Sequence, residues 1–447
     1  MKKTLILLLL IICSFSLFAQ TPVTEYWSNK NKKSEGFTKE AKKEGKWIYW
    51  YQNSKKWSEG SFKNDEQTGN WTYWFENGQK QAEYSVENGK YTAWFENGRV
   101  ESEGDIVNKQ RAGKWLFSHP NGQIKRECTY VNGSLEGSFK EFHNNGKLAQ
   151  QGTYVGGKLN GASTWWDENG VKEIDGFLVD DMQDGVWIYY HPSGKVASTG
   201  PFVQDQLQGE WKYYYENGQL WKKGNYAEGK RSGKWTAWFE DGKKQREGSF
   251  KEDREDGFWQ MWYKNGILED EGYFANGLMD KTWKGYYYSG APKYINNYLL
   301  GAKNGSSTYW FQNQQLMTKG SYKDDLKDGK WARWSENGKK LEEGLYKLNK
   351  KEGIFTFYDK YGGKNKVQEF KNDRPEGRWI EYYPNGKKLA EGNFVNRIKE
   401  GVWTSWSDNG KITLQVEYKN GLKVRTRKEA KPKVDQKNPN KTVAPTF

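Results

Sequence analysis

The chain contains only three histidines, His119, His143 and His191, and their spacing of 24 and 48 residues places each at the same point of an internal repeat. Equivalent residues of neighbouring hairpins stand roughly 9.6 Å apart, at two strand spacings per hairpin. A shared metal ion needs ligand bonds of about 2 Å. The histidines are therefore read as strand-end substitutions, and no metal is expected. Acidic clusters recur in turns, as Asp180, Asp181 and Asp184 or Asp324, Asp325 and Asp328. They lack the ligand spacing of an EF-hand loop or of a calcium-binding nonapeptide repeat and read as solvated turns. Glutamates return at one position in many repeats (Glu59, Glu103, Glu247, Glu343). Any two could be imagined as the acid and base of a glycosidase, but a residue present in many copies does not mark one reaction centre. No Walker loop, dinucleotide-binding fingerprint or nucleophile elbow occurs in a suitable context. The expectation is a protein without catalytic residues or a cofactor.

What remains is aromatic. The 447 residues include 24 Trp, 29 Tyr and 21 Phe, so about half of the 35% hydrophobic content is ring. Aliphatic residues are too scarce for a doubly wound α/β enzyme or a helix bundle. Each buried ring removes roughly 150 to 250 Å² from water, which is enough for rings to replace the usual aliphatic core. Fifty glycines against ten prolines point to many turns.

The glycines set a period. They stand at 45, 69, 89, 113, 137, 161, 185, 209, 233, 257, 305, 329, 353, 377 and 401, in steps of 24 apart from one step of 20 and one gap where Lys281 holds the intermediate place. This gives sixteen units over residues 45–422, preceded by a degenerate capping repeat over 20–44. With this glycine as position zero, an aromatic follows at plus two (Trp47, Trp71, Trp115, Trp187, Trp403) and another at plus five. Asn-Gly or an equivalent pair stands at plus eight and nine, as Asn77-Gly78 and Asn217-Gly218. A second glycine follows at plus fifteen (Gly60, Gly152, Gly224, Gly344), with Phe62, Tyr154, Tyr226 or Tyr346 two residues on. The array fills the chain between its ends, so no catalytic domain is expected.

Asn-Gly between two aromatic-rich segments predicts a β-hairpin, because both residues tolerate the positive φ of a tight turn. If those two residues are the whole loop, plus two lies opposite plus fifteen, and the indole covers the bare glycine across the strand. A three-residue loop with a bulge would shift the pairing by one. The polar segment after each hairpin is a second turn. Hairpin pairing with hairpin gives an all-β, elongated antiparallel ribbon, on the order of 150 Å before twist. Plus two and plus five have opposite parity, so one ring ladder builds the sheet and the other is left to bind. The candidate binding rings are Trp50, Trp74, Trp94, Trp166, Trp238, Trp262, Trp310, Trp334 and Trp406.

The unit G-K-W-x-x-W-x-E-N-G-x-x-x-x-E-G, seen from Gly329 to Gly344 and, with Asp241 for the asparagine, from Gly233 to Gly248, resembles MORN repeats, specifically the variant of the YwqK antitoxin family. The resemblance covers nearly everything between the chain ends. It implies a binding protein able to neutralise a toxin partner, and MORN proteins at large imply lipid surfaces and scaffolding.

The ends carry separate signals. Lys2 and Lys3, the apolar run Leu5–Ile12 and the small Ala19 form the pattern of a secretory signal peptide over residues 1–19. Cleavage there leaves Cys128 as the only cysteine, unable to form an internal disulfide and read as a small core residue. The segment 423–447 holds eight Lys or Arg against two acids and is expected to be a disordered tail. No stretch approaches a membrane-spanning helix, and the product is expected in the periplasm, at the outer surface or in the medium. Much of the +14 net charge is terminal, which argues against a nucleic-acid interface. Three functions follow: an exported scaffold holding a protein partner at the envelope, a YwqK-like antitoxin or immunity protein, or a ribbon binding a glycan or an anionic envelope surface.

Overall fold

A computed structural model describes residues 20–429. Residues 1–19, read above as a signal peptide, and residues 430–447 of the stretch read as a tail lie outside the described residues. The chain divides into two compact units, Met1–Gly218 and Gln219–Phe447. In each, successive strands pair antiparallel with their neighbours, so the described residues are all β, built of serial hairpins as the periodicity predicts.

In the first unit the strand Lys42–Trp50 pairs with Lys56–Lys63, and Trp47 indeed stands opposite Gly60. The loop nevertheless differs from the two-residue expectation. Tyr51 N donates to Lys55 O and Ser54 N to Tyr51 O, enclosing Gln52, Asn53 and Ser54. Only the last of these, Ser54 at φ 67°, is left-handed. A three-residue loop alone would displace the register by one. An extra residue at Trp57, where Tyr49 pairs with Ser58 but Trp50 with Lys56, moves it back. The asparagine at plus eight thus has work other than tolerating positive φ. Asn121 Oδ1 accepts from Gln123 N at 3.0 Å within its own turn, while its Nδ2 donates to Asn144 O of the next turn at 2.7 Å. The second unit repeats this, with Asn265 donating to Tyr288 O at 2.9 Å. Replacing Asn121 by alanine is expected to cost about 0.5 to 1 kcal/mol for these solvent-exposed bonds. Hydrogen exchange in the 121 and 145 turns would register it, and unchanged protection in the 145 turn would contradict a staple between turns.

The turns between hairpins are the tight ones. Lys63 pairs with Glu66, and the two residues between them, Asn64 and Asp65, have φ of 52° and 71°, the double left-handed signature of a type I′ turn.

The structure corrects which indole covers which glycine. The position-zero glycine, Gly69 at φ 63°, lies in a bulge that lets Trp71 lean back over Gly60 of the preceding repeat. A Cβ on Gly60 would stand 2.6 Å from Cγ of that ring and closer to two other ring carbons. The indole Nε1 then donates to Ser61 O at 3.2 Å. The same bond joins Trp115 to Asp105 O (3.2 Å) in the first unit and Trp259 to Ser249 O (3.1 Å) in the second. Rescue of the bare glycine therefore runs between repeats, and the core lies at these junctions. Trp71, Trp115 and Trp259 are all but inaccessible to solvent. Where Cys128 or Gln368 replaces the glycine a ring still stands opposite, Phe139 or Trp379, whereas at Asn296 the ring is lost as well and Ser307 takes its place. Cys128 faces Phe139 in a small core cluster, and Asn296 accepts a hydrogen bond from Ser307.

At the C-terminal end the strand Leu422–Glu429 pairs with Ile412–Lys419 across the Asn420-Gly421 turn. Order thus runs through Glu429, seven residues into the stretch read as tail. Leu422, Val424 and Thr426 alternate with charged residues, as a strand requires. Residues 20–44 form the strands Thr21–Tyr26 and Lys32–Lys39, paired antiparallel.

Candidate aromatic binding face

Along each long strand the rings fall on two faces, as their parity demands. The plus-two face is filled by rings of both strands. Trp47 meets Phe62 at 6.2 Å, Phe62 meets Trp71 at 5.1 Å, and Trp71 stacks on Tyr73 at 5.8 Å. The plus-five face carries the candidate binding rings. Trp50, Trp74, Trp94, Trp166, Trp238, Trp262, Trp310, Trp334 and Trp406 are all half-buried there.

Six of them are covered by a lysine, whereas Trp166, Trp238 and Trp310 have Leu148, Leu220 and Pro292 at the place of the covering lysine. In the first unit Lys56 Nζ lies 4.9 Å from the Trp74 ring centre, and Lys32 and Lys80 take the same place over Trp50 and Trp94. In the second unit Lys244 covers Trp262, and Lys388 covers Trp406 at 5.7 Å. Each lysine comes from the repeat before the ring it covers. It also pairs with the glutamate three residues on: Lys56 with Glu59 (2.9 Å), Lys244 with Glu247 (3.1 Å) and Lys388 with Glu391 (2.5 Å). Glu59, Glu247 and Glu391 are thus counter-ions of a cation-over-ring ladder, each module joining two repeats, while Glu103 has Val100 where the lysine would stand. Trp334 is covered differently, by Lys340 of its own repeat at 5.7 Å. Beside it opens a cleft of about 750 Å³ whose walls include Leu345, Ile354, Lys319 and Lys330. Lys319 stands where most repeats have an acid.

These pairs make a pH prediction. Glu343 accepts from Tyr358 and Lys340, and these bonds hold its carboxyl below the ordinary 4.5. Burial pushes Glu59 and Glu247 up, but their lysines outweigh it and both end low. The phenol of Tyr358 is driven up to about 12 by burial and by Glu343. A carboxyl lower in the folded than in the unfolded chain stabilises fully above the unfolded value and loses that contribution as pH falls through the folded one. The urea midpoint is expected to be flat from pH 8 to about 5 and to decline below the ordinary 4.5. Glu343→Gln should make the decline shallower, and a decline of equal slope in both proteins would exclude this source.

The other sequence candidates acquire structural roles. His119, His143 and His191 place Nε2 at 2.9, 2.8 and 3.0 Å from the carbonyl oxygens of Phe142, Trp166 and Tyr214, so each ring donates from Nε2. Tyr51 and Tyr263, at the same repeat position, donate to Trp74 O and Tyr286 O, each at 2.8 Å. The histidines are tyrosine substitutes, and the signal that would have revealed this was the tyrosine in their column. Of the acidic clusters, Asp181 accepts from Leu159 N at 2.7 Å and Asp325 from Lys303 N at 2.8 Å, tying each turn to the one before. Among the described residues no group of three or more His, Cys, Asp or Glu is placed to share a metal ion. Cys128 is buried, and burial pushes its thiol up, away from reactivity. No helix among the described residues is long and apolar enough to cross a membrane.

Ten segments match the MORN repeat variant family: residues 43–64, 67–88, 111–132, 135–155, 183–204, 207–228, 231–252, 327–348, 375–396 and 399–420. No curated protein matches the sequence. Among solved structures, the chain is similar to the TcdB2–TccC3 complex with Cdc42, at 10% identity over 90% of this chain and 26% of that one, with a TM-score of 0.16. It is also similar to the Photorhabdus luminescens Tc holotoxin pore, at 12% identity over 94% and 24%, with a TM-score of 0.15. The chain spans about a quarter of the length of these structures, and at such scores the likeness carries no weight for function.

Proposed function

From the premise that this chain is a MORN-repeat protein, we propose that it is a non-enzymatic scaffold, exported to the cell envelope, that holds a protein partner on its plus-five face. The observation that carries this reading is the ring, lysine and glutamate module, repeated with the same partners in both units. Such a face offers rigid rings at fixed spacing with charges of both signs between them, the composition of a protein interface rather than of a reaction centre. The leader pattern at residues 1–19 supports export. Neutralisation of a toxin is the narrower form of the same reading and rests on the resemblance to antitoxin repeats.

The experiment is capture from envelope extracts with the full mature chain as bait. One protein is expected at near-stoichiometric yield, lost when Trp334 is changed to alanine and Lys319 to glutamate in the cleft. Capture that ignores both changes, or that fails from envelope and cytosol alike, would overturn the reading. Recovery from cytosol alone would overturn its envelope part.

A further inference from the structure

On the plus-two face the chain uses one slot repeatedly for a tyrosine ring. Tyr49 stacks on Trp47 at 5.9 Å and 24°, and Lys43 donates to its hydroxyl at 2.8 Å. Tyr73 stacks on Trp71 in the same way, with Gln67 as the donor at 3.1 Å. In the second unit Lys303 donates to Tyr309 at 2.8 Å. In its full form the slot has three parts, a floor ring at plus two, the tyrosine at plus four and a donor two residues before position zero; the repeat of Tyr309 has Ser307 in place of the floor. Where plus four is Gly285, a ring from the following strand occupies the slot, since a Cβ there would stand 2.6 Å from Cδ1 of Tyr294.

The repeat beginning at Gly233 keeps two of the three parts. Trp235 is the floor and Arg231 the donor, but plus four is Ala237, and a cleft of about 560 Å³ opens there, bounded also by Trp259. Its cross-strand neighbours are cations. Ala237 pairs with Lys222 on one side and Arg246 on the other, where the first unit has Ser58 beside Tyr49. Arg246 lies over the Trp259 ring at 4.4 Å and reaches Glu255 at 3.4 Å, while Arg231 is held by Asp253 at 3.0 Å. Burial and the adjacent Arg231 both press the Lys222 ammonium toward its neutral form, the condition an incoming anion relieves.

We propose that the cleft at Ala237 receives the tyrosine side chain of an acidic segment in a protein partner, its ring stacked on Trp235 and its hydroxyl held by Arg231, with flanking carboxylates facing Lys222 and Arg246. The volume is that of a small-ligand site. The occupant is specified by the chain itself, which fills the equivalent slot with tyrosine in other repeats. The inference rests on the scaffold reading and goes beyond it, adding a second contact on the opposite face and naming what a partner inserts there.

Calorimetric titration of the full mature chain with a capped Glu-Tyr-Glu peptide tests it. Binding is expected, at least tenfold weaker for Glu-Leu-Glu and for Lys-Tyr-Lys. The variant Ala237→Tyr closes the slot from within. It should bind Glu-Tyr-Glu at least tenfold more weakly while unfolding at no lower urea concentration than the parent. Arg231→Met should bind Glu-Tyr-Glu no better than Glu-Phe-Glu. Absence of binding by the parent, equal binding by Ala237→Tyr, or indifference to the peptide's tyrosine each overturns the proposal. Partner capture that survives Ala237→Tyr, with no peptide binding, would sink this inference and leave the scaffold reading in place.

Discussion

Replacing Gly248 by asparagine is expected to destabilise the second unit by about 3 kcal/mol, the upper range for forcing atoms into a packed site. A Cβ at Gly248 would stand 2.5 Å from Cγ of Trp259 and closer to two other ring carbons, and that ring is fixed by its bond to Ser249 O. The chain contains its own remedy, since Asn296 replaces the glycine where Ser307 replaces the indole. The double variant Gly248→Asn, Trp259→Ser should therefore be less damaged than the summed single effects, by a coupling of about 2 kcal/mol. Hydrogen exchange of amides across residues 233–262 of the full chain would measure it. Additive costs would mean that the ring and the glycine are not partners. The position-zero glycines offer a contrast. Gly257 has nothing within 4 Å of an added Cβ, but its φ is 79°. Gly257→Ala should cost only about 1 to 2 kcal/mol, the price of a left-handed alanine.

The second large effect separates the two ring ladders. Trp71→Ala is expected to cost about 3 to 5 kcal/mol, as for any large aromatic removed from a closed core. Trp71 is 1% exposed, covers Gly60 and bonds to Ser61 O. Trp74→Ala, three residues away, should cost about 1 kcal/mol, because its half-buried ring is covered by the Lys56 ammonium, which water can replace. Urea unfolding of the two variants decides the matter. Similar costs would refute the division into a structural face and a presenting face.

These contrasts also show which parts of the molecule could be read beforehand. The period, the hairpins and the opposition of Trp47 to Gly60 follow from spacing alone. The route to that opposition does not, because the left-handed Ser54 and the extra Trp57 displace the register in opposite senses and cancel. Pairing arithmetic sees only their sum. The rescue partner was misassigned for a similar reason. Counting across the loop selects Trp47 for Gly60, whereas the bulge at Gly69 brings Trp71 over it. The cation-covered rings were visible only as a column of tryptophans. The lysines that cover Trp50, Trp74, Trp262 and Trp406 belong to the preceding repeat, 18 residues upstream, a relation that appears once the strands are paired. The slot at Ala237 is a substitution of one ring by a methyl. It means nothing until Tyr49 and Tyr73 show what the space is for.

The backward reach of each indole gives the array a direction. A typical repeat supplies its bare glycine to the successor and takes its own cover from it, so such a copy arrives with one plug and one socket. Excising or inserting a whole 24-residue block rejoins plug to socket without a new interface, which lets such a protein change its length in fixed increments as a lineage evolves. In the last repeat Val416 holds the place of the glycine, 1% exposed and paired with Trp403 and Thr426, so a side chain of the repeat itself fills the space that an indole takes elsewhere.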